Sequence, residues 1–411
     1  MIYRARHVVP MVGPPIENGA VVVAGDTIAA VGTWDGIRPA WAGEAEDLGE
    51  VILMPGLINA HCHLDYTGLR GALLRPESFA AWIQRINAVK RDLTEDDFLA
   101  AIEKGSTECI NTGTTTVLNI ESFPGLLPKM RRPPLRTWWF FELIDLRQTP
   151  PVEDIVSTAM NFLGQRPEWR GGVGLSPHAP YTASIELFRL SRAMARRHGL
   201  PVTTHIGESH EEQTMFADGA GPLFNFLRSI GRPMADCGNG RSSLRILAEA
   251  AAIGPETIIA HLNELPVEDE PLLQPHGFLH DISVVHCPRS HRYFSHRPFP
   301  MARLRALEVN VCLGTDSLAS NQSLNMFEEM RAAREIFPEI SPGEFIEMAT
   351  TNAARALGLA GRLGVLRAGA QADLIAIRGG DGANLSERII DHQGKVDWAV
   401  VSGVSVRMST K

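Results

Sequence analysis

Eight short runs of apolar and β-branched residues alternate with longer amphipathic stretches along most of this sequence. The runs are residues 51–60, 114–120, 136–143, 172–176, 201–204, 257–260, 283–285 and 310–314. Segments with helical periodicity lie between or after them, for example residues 184–197, 242–252 and 325–336. Because short β-branched runs indicate buried strands, eight strand–helix repeats predict an α/β fold, namely a parallel (β/α)8 TIM barrel.

The two ends of the chain depart from this pattern. Short strands are indicated at residues 20–23 and 27–31, and again at 369–377, 397–401 and 404–408, after a helix predicted over 344–357. Both ends share this short-strand character. We therefore expect residues 1–53 and 358–411 to form one composite β-sandwich domain, and residues 54–357 to form the barrel.

Composition narrows the classes of partner. The chain has 411 residues, a formal net charge of -8 and five cysteines. The acidic balance disfavours nucleic acid as a partner, because phosphate binding needs clustered Lys and Arg. The odd cysteine count, without a Cys-x-x-Cys pair, favours reduced thiols in a cytoplasmic protein. The sequence carries no apolar stretch of membrane-spanning length, so we expect no membrane partner. A small-molecule substrate is expected, and a homodimer is left open.

Polar residues follow most of the predicted strands. They are His61 and His63 after the first run, His178, His205, His261 and His286 after the fourth to seventh, and Asp316 after the eighth. Side chains at positions i and i+2 of a strand point the same way, so His61 and His63 can face one point. Hydrogen-bonded strand-end histidines explain an isolated pair equally well. Six of eight strands ending in His or Asp instead favour a metal site at the carboxyl end of the barrel.

Several stretches together resemble a known family. They are Pro-Gly-Leu-Ile-Asn-Ala-His-Cys-His at 55–63, Ser-Pro-His-Ala-Pro-Tyr-Thr at 176–182, His-Ile-Gly-Glu at 205–208, His-Cys-Pro-Arg-Ser at 286–290, Leu-Gly-Thr-Asp-Ser at 313–317 and Ala-Asp-Leu at 372–374. This set resembles the amidohydrolase superfamily, in particular its branch of cytosine deaminases, S-adenosylhomocysteine deaminases and triazine hydrolases. The stretches 79–82 and 287–290 are also similar to those of aminodeoxyfutalosine deaminases. The family fold is a (β/α)8 barrel with a composite β-sandwich.

The resemblance implies a metal site with one divalent ion per chain. Its ligands would be His61, His63, His205 and Asp316. Imidazoles with one carboxylate suit Zn2+, with Fe2+ and Mn2+ left open. Two-metal members use a carbamylated lysine from the middle strands, and no lysine ends the third or fourth run here. Taken alone, Asp316 could be a helix N-cap.

The resemblance also assigns catalytic and substrate-binding roles. Asp316 would move a proton from the attacking water to the leaving group, Glu208 would protonate a ring nitrogen, and His261 would orient the hydroxide. Without the resemblance, Glu208 could be a surface carboxylate and His261 a core histidine. The substrate-binding candidates are Phe79, Trp82, His178 and Arg289.

The implied function is that of a metal-dependent aminohydrolase. Metal-activated hydroxide would deaminate a purine-like or related amino-heterocycle or nucleoside, with aminodeoxyfutalosine among the candidates. Ala80 stands where nucleoside-type deaminases often carry a glutamate for the ribose hydroxyls, which weakens the case for adenosine or S-adenosylhomocysteine themselves. Alternatives are a triazine-type chlorohydrolase or N-substituted amine hydrolase, an iminourea hydrolase, and a catalytically silent barrel used for assembly. Because barrel loops set specificity, the fold alone does not choose among them.

Overall fold

The computed structural model describes residues 1–147, 150–164, 169–379 and 384–406. Its strands are β1 (Ile2–Val8), β2 (Ile16–Ala24), β3 (Thr27–Thr33), β4 (Ala45–Asp47), β5 (Val51–Pro55), β6 (Leu57–His63), β7 (Thr114–Glu121), β8 (Arg136–Leu143), β9 (Gly171–Pro177), β10 (Val202–Ile206), β11 (Thr257–His261), β12 (Ser283–His286), β13 (Asn310–Leu313), β14 (Asp316–Ser317), β15 (Leu374–Arg378), β16 (Trp398–Val401) and β17 (Val404–Val406). The last two residues of the predicted strand 404–408 lie outside the described residues.

Helices connect the strands. They are α1 (Trp34–Ala40), α2 (Phe79–Lys90), α3 (Glu95–Asn111), α4 (Val152–Gly164), α5 (Ile185–His198), α6 (His210–Asp218), α7 (Pro222–Ser229), α8 (Ser243–Glu249), α9 (Glu270–Leu273), α10 (Pro288–Phe294), α11 (Met301–Ala306), α12 (Met326–Ile336), α13 (Pro342–Met348), α14 (Thr351–Ala356) and α15 (Leu385–Asp391), with 3-10 turns at Leu64–Leu69, Pro124–Lys129 and Val267–Asp269. Ser184 and Asn325 cap α5 and α12, where helices were predicted. Every helix in the described part of the chain is too short or too polar to span a lipid bilayer.

The barrel is a closed parallel sheet. Strands β6 to β13 are neighbours in chain order, and every pair is parallel. The eighth position is shared by β13, which pairs with β12, and β14, which pairs with β6. The sheet therefore closes on itself. Apolar side chains such as Ile58, Leu118, Phe140 and Ile258 form one buried cluster from four of its strands. This arrangement confirms the prediction of a TIM-barrel-like α/β fold.

A second sheet takes strands from both chain ends. Its order is β17-β16-β15-β5-β1-β2-β3, with β4 beside β1. Strand β15 runs antiparallel to β5 and places Leu374 opposite Pro55. The short strands predicted at the two ends therefore meet in one sheet. Strand β5 extends to Pro55, so the predicted boundary after residue 53 falls inside a strand.

The predicted single strand over residues 51–60 is wrong, because the chain changes sheets at Gly56. Strand β5 belongs to the second sheet and β6 to the barrel. The Gly56 N–H donates to the Asp373 carbonyl at 3.0 Å. A Cβ atom at this glycine would lie 2.1 Å from the Thr115 side chain. The close approach of two sheets thus requires glycine at the crossing, which a run of apolar residues did not reveal.

The predicted helix over residues 344–357 is also two helices, α13 and α14. Thr350 separates them with non-helical dihedrals of φ -139° and ψ -89°. The Ala349 carbonyl accepts a hydrogen bond from the Ile58 N–H of barrel strand β6 at 2.8 Å. Because that carbonyl is bound to the barrel, it is withdrawn from helical pairing, and the helix is interrupted there.

A buried ion pair ties the barrel to the second sheet. Arg136, on β8, donates to the two carboxylate oxygens of Asp373 at 2.8 and 3.2 Å. Both side chains are at least nine-tenths buried. The same guanidinium donates to Gln371 and to Ser402 at 2.8 and 2.7 Å.

We expect Arg136→Leu to lower the free energy of unfolding by about 3–5 kcal/mol, because it leaves the Asp373 carboxylate buried without its cation. Urea titration followed by circular dichroism measures this loss. The double variant Arg136→Leu/Asp373→Leu removes both charges and should lose clearly less. A double variant as unstable as the single one would show that packing, and not the lone charge, sets the loss.

Candidate active site

An irregularity in β6 aims the two histidines of the His-Cys-His stretch. The register of β6 against β7 shifts between Asn59 and Cys62. Asn59 stabilises the shift, because its amide donates to Thr315 Oγ1 at 2.7 Å and its Oδ1 accepts from the Thr315 N–H at 3.1 Å. Such irregularities re-aim the side chains beside them. The His61 and His63 rings lie 5.1 Å apart and face one carboxylate, as their spacing predicted.

Six buried side chains from four barrel strands and their ends converge at the carboxyl end of the barrel. They are His61 and His63 from β6, His205 from β10, Glu208 just after it, His261 from β11 and Asp316 from β14. The Nε2 atoms of His61 and His63 lie 3.7 and 3.9 Å from Asp316 Oδ1. Three overlapping triplets have candidate ligand atoms within 4.8 Å of one another: His61, His205 and His261; His61, His63 and Asp316; and Glu208, His261 and Asp316.

The donor set fits a divalent metal. Both ring nitrogens of His61 and Nε2 of His261 are buried without a hydrogen-bond partner among the described residues. His205 can donate Nδ1–H to the His178 carbonyl at 2.9 Å, which frees its Nε2 lone pair for a metal. Burial lowers the pKa of His205 to about 3 and that of His63 well below its ordinary value. Neutral imidazoles are the form that binds metal ions.

Asp316 is held by hydroxyl groups on its far side. Its Oδ2 accepts from Ser290 Oγ at 2.6 Å and from Ser320 Oγ at 3.1 Å, which leaves Oδ1 toward the histidines. Its backbone has a φ of 61°, and His261 has a φ of 74°. The left-handed region is strained for residues with a side chain, and such strain collects at functional sites. Burial alone would raise the pKa of Asp316, but its contacts with His61 and His261 hold it well below the ordinary value.

Glu208 is buried beside His261, not exposed on the surface. Its Oε1 lies 3.7 Å from His261 Nε2. The backbone is fixed by Glu212, whose carboxylate accepts from the N–H groups of Gly207 and Glu208 at 2.9 Å each, and by Asn263, which donates to the Glu208 carbonyl at 2.8 Å. Burial, followed by the charge of Asp316, raises the pKa of Glu208 well above its ordinary value. Burial therefore favours the neutral form of the carboxyl group that faces the cluster.

A pocket opens over this cluster. Three of the four predicted substrate-binding residues line it, namely Phe79, Trp82 and His178. The Phe79 and Trp82 rings are nearly parallel, with centroids 6.1 Å apart and an interplanar angle of 16°. His178 lies beside the cluster, its ring centroid 4.8 Å from that of His205. Aromatic surfaces next to a polar cluster suit a flat heterocycle.

Two residues singled out in the sequence, Arg289 on α10 and His286 at the end of β12, point elsewhere. The structure does not bring Arg289 to the pocket, because its guanidinium pairs with Glu328 at 2.6 Å and donates to Ser323 at 2.9 Å. His286 ends β12 at the same barrel end, but its ring stacks on Phe299 with centroids 4.0 Å apart. Successive strand residues point to opposite sides, so position in the run alone could not exclude His286.

A polar wall of the pocket, formed by Tyr66, Lys90 and Glu142, was not predicted from the sequence. Tyr66 lies in the turn after β6, Lys90 ends α2, and Glu142 lies on β8. Glu142 is the one of the three with a signal in the sequence, since it stands near the end of the third predicted strand. As a glutamate, it differs from the histidine and aspartate residues that mark the other strand ends.

Comparison with known proteins identifies a family and relatives to which this chain is similar. A model of the amidohydrolase family matches residues 52–406. The aminodeoxyfutalosine deaminase of Deinococcus radiodurans is 29% identical over 85% of this chain and 84% of its own length. The 5-methylthioadenosine/S-adenosylhomocysteine deaminase of Syntrophobacter fumaroxidans is 30% identical over 89% of this chain and 81% of its own.

The fold also matches solved structures. A crystal structure of an adenosine deaminase from Xanthomonas campestris with bound zinc superposes with a TM-score of 0.84 at 24% identity, covering 98% of this chain and 92% of that one. At this identity the match supports the fold alone.

Proposed function

The chain belongs to the amidohydrolase family, and we propose that it deaminates a purine-like nucleoside, replacing an exocyclic amino group with oxygen and releasing ammonia. The observation that carries this proposal is the buried convergence of His61, His63, His205 and Asp316 with Glu208 under an aromatic pocket. Relatives that align over most of the chain are named as deaminases of such compounds. These names favour a deaminase over a triazine or iminourea hydrolase and over a silent barrel.

One divalent ion, zinc by the chemistry of its ligands, would be held by His61, His63, His205 and Asp316. When bound, the metal supplies a Lewis acid that makes water nucleophilic near neutral pH. Asp316 accepts a proton from the attacking water and later passes it to the leaving amino group. Its hydrogen bonds from Ser290 and Ser320 orient it for both transfers.

Glu208 acts as the general acid and base for the heterocyclic ring. Its carboxyl group donates a proton to a ring nitrogen as the neighbouring carbon is attacked, which avoids a full negative charge on that nitrogen. The same carboxylate takes up the remaining hydroxyl proton of the tetrahedral centre when the product carbonyl forms, which restores the acid. His261 lies 3.7 Å from the same carboxyl group and hydrogen-bonds to the tetrahedral carbon's oxygen. Phe79 and Trp82 cover the base, and His178 contacts its edge.

We also propose that residues 1–53 and 358–411 form a composite β-sandwich domain beside a barrel domain over 54–357. The support is the antiparallel pairing of β5 with β15 within one sheet from both ends. A boundary at Gly56 fits the strands better than one at residue 53.

Ammonia release from a panel of amino-heterocycles tests the function. The panel contains adenosine, 5′-deoxyadenosine, 5-methylthioadenosine, cytosine, guanine and an aminotriazine. We expect ammonia from at least one adenosine-type nucleoside, with a loss of absorbance near 265 nm that indicates conversion of the adenine ring. Turnover of cytosine, guanine or the triazine without any nucleoside would contradict the proposal.

A further inference from the structure

We infer that Glu142 binds the ribose hydroxyls of the substrate, an inference that rests on the proposed function. Glu142 lies near the carboxyl end of β8 and lines the same pocket as the His/Asp/Glu cluster. Its side chain is 10% exposed, and its Oε1 lies 3.8 Å from His178 Nε2, beyond hydrogen-bonding distance. No described residue donates a hydrogen bond to this oxygen, so an acceptor faces the pocket.

A directed chain of hydrogen bonds holds the carboxylate. Lys90 donates to the Tyr66 hydroxyl, which lies 2.9 Å from Ser122 Oγ, and Ser122 donates to Glu142 Oε2 at 2.8 Å. An ammonium group only donates and a carboxylate only accepts, so each hydroxyl must donate toward Glu142. The chain orients Glu142 and occupies one carboxylate oxygen, Oε2, which leaves Oε1 for a ligand.

The other two carboxyl groups of the pocket lie in the His/Asp/Glu cluster, where the amino carbon of the substrate would react. Asp316 faces His61 and His63 and accepts from two serines, and Glu208 lies beside His261. Glu142 Oε1 lies 3.8 Å from His178 Nε2, and the His178 ring is next to that of the proposed ligand His205. A purine with its amino carbon at the cluster and its edge at His178 would direct its sugar toward Glu142.

The ligand group should be a neutral hydrogen-bond donor. A free carboxylate oxygen selects donors, and the two hydroxyls of a ribose can both reach it. A cationic group would bind less well, because Lys90 stands in the same wall, its ammonium 4.5 Å from the Tyr66 ring centroid. Ala80, on α2 beside Phe79, is buried and has no polar atom, so it offers these hydroxyls no hydrogen bond. We assign the carboxylate to Glu142 on β8.

Paired substrates test the assignment. Adenosine and 2′,3′-dideoxyadenosine are compared with the wild-type holoenzyme and with Glu142→Gln. Loss of a hydrogen bond to a charged group weakens binding by about 10- to 100-fold. Glu142→Gln should therefore lower kcat/KM for adenosine by that factor. It should change kcat/KM for the dideoxynucleoside less than about threefold. Glu153→Gln on the exposed face of α4 is the matched control and should leave both values unchanged.

A second variant guards against misfolding. Ser122→Ala removes the donor to Oε2 and should give a smaller loss that is again selective for adenosine, with metal content and Tm close to wild type. Equal losses on both nucleosides, or none on either, would overturn the role of Glu142 while leaving the deaminase assignment intact. If the wild-type protein deaminates cytosine, guanine or the triazine but no nucleoside, the proposed function fails first and the diol assignment with it.

Discussion

Glu208→Gln should keep the fold and the metal yet turn over substrate about 10²–10⁴-fold more slowly. The amide retains the shape and the backbone contacts that Glu212 and Asn263 make. It cannot give up a proton to the ring nitrogen, and a positioned general acid contributes a factor of this size. Steady-state rates with the best nucleoside of the panel measure the loss, and elemental analysis checks that the metal remains.

Two controls make this result specific. Glu186→Gln, on the exposed first turn of α5, applies the same chemical change outside the pocket and should be neutral. Glu208→Asp keeps the acid but shortens its reach, so it should recover part of the rate. A Glu208→Gln enzyme that is as fast as wild type would mean that the proton comes from another group.

His205→Ala should lose the metal as well as the activity. Wild-type protein is expected to carry about one divalent ion per chain. In the wild-type protein, the hydrogen bond from His205 Nδ1–H to the His178 carbonyl leaves Nε2 free to bind the metal. The variant lacks this imidazole, so elemental analysis should find far less metal. Because a Lewis acid supplies several kcal/mol of transition-state stabilisation, turnover should fall at least about 10³-fold.

His286→Gln is the matched control for that experiment. His286 is also a fully buried histidine at a strand end of the same barrel, but it stacks on Phe299 outside the cluster. The His286→Gln variant should retain about one metal ion per chain. Any effect of the substitution should be limited to a lower free energy of unfolding. Wild-type protein with two ions per chain, or a His205→Ala variant with undiminished metal, would contradict the proposed ligand set.

The strands that carry the site were predictable because their signals are local. Each of these strand ends is marked by a histidine or aspartate following a short β-branched run, and Asp316 follows the last run, three residues after β13 and at the start of β14. The fixed alternation of side chains then placed His61 and His63 together. Residue spacing within one strand needs no knowledge of the rest of the chain.

The features that were missed depend on contacts between distant segments. The crossing at Gly56 is set by Thr115 of a neighbouring strand, and the break at Thr350 by a hydrogen bond from Ile58 to Ala349. Glu142 becomes a candidate substrate-binding residue only in the folded structure, where Lys90 and the hydroxyl groups of Tyr66 and Ser122 lie beside it. The direction of the Arg289 side chain was not predictable for the same reason, since its partner Glu328 lies on another helix.

The pairing of β5 with β15 has a consequence for how the chain is made. The partner of Pro55 is Leu374, so during synthesis one edge of β5 stays uncovered until the whole barrel sequence has left the ribosome. An apolar strand with unpaired backbone groups is a template for aggregation. C-terminal truncations ending before Leu374 should therefore accumulate as insoluble protein even though every proposed metal ligand is retained, and co-expression of chaperones that shield nascent strands should benefit the full-length chain most.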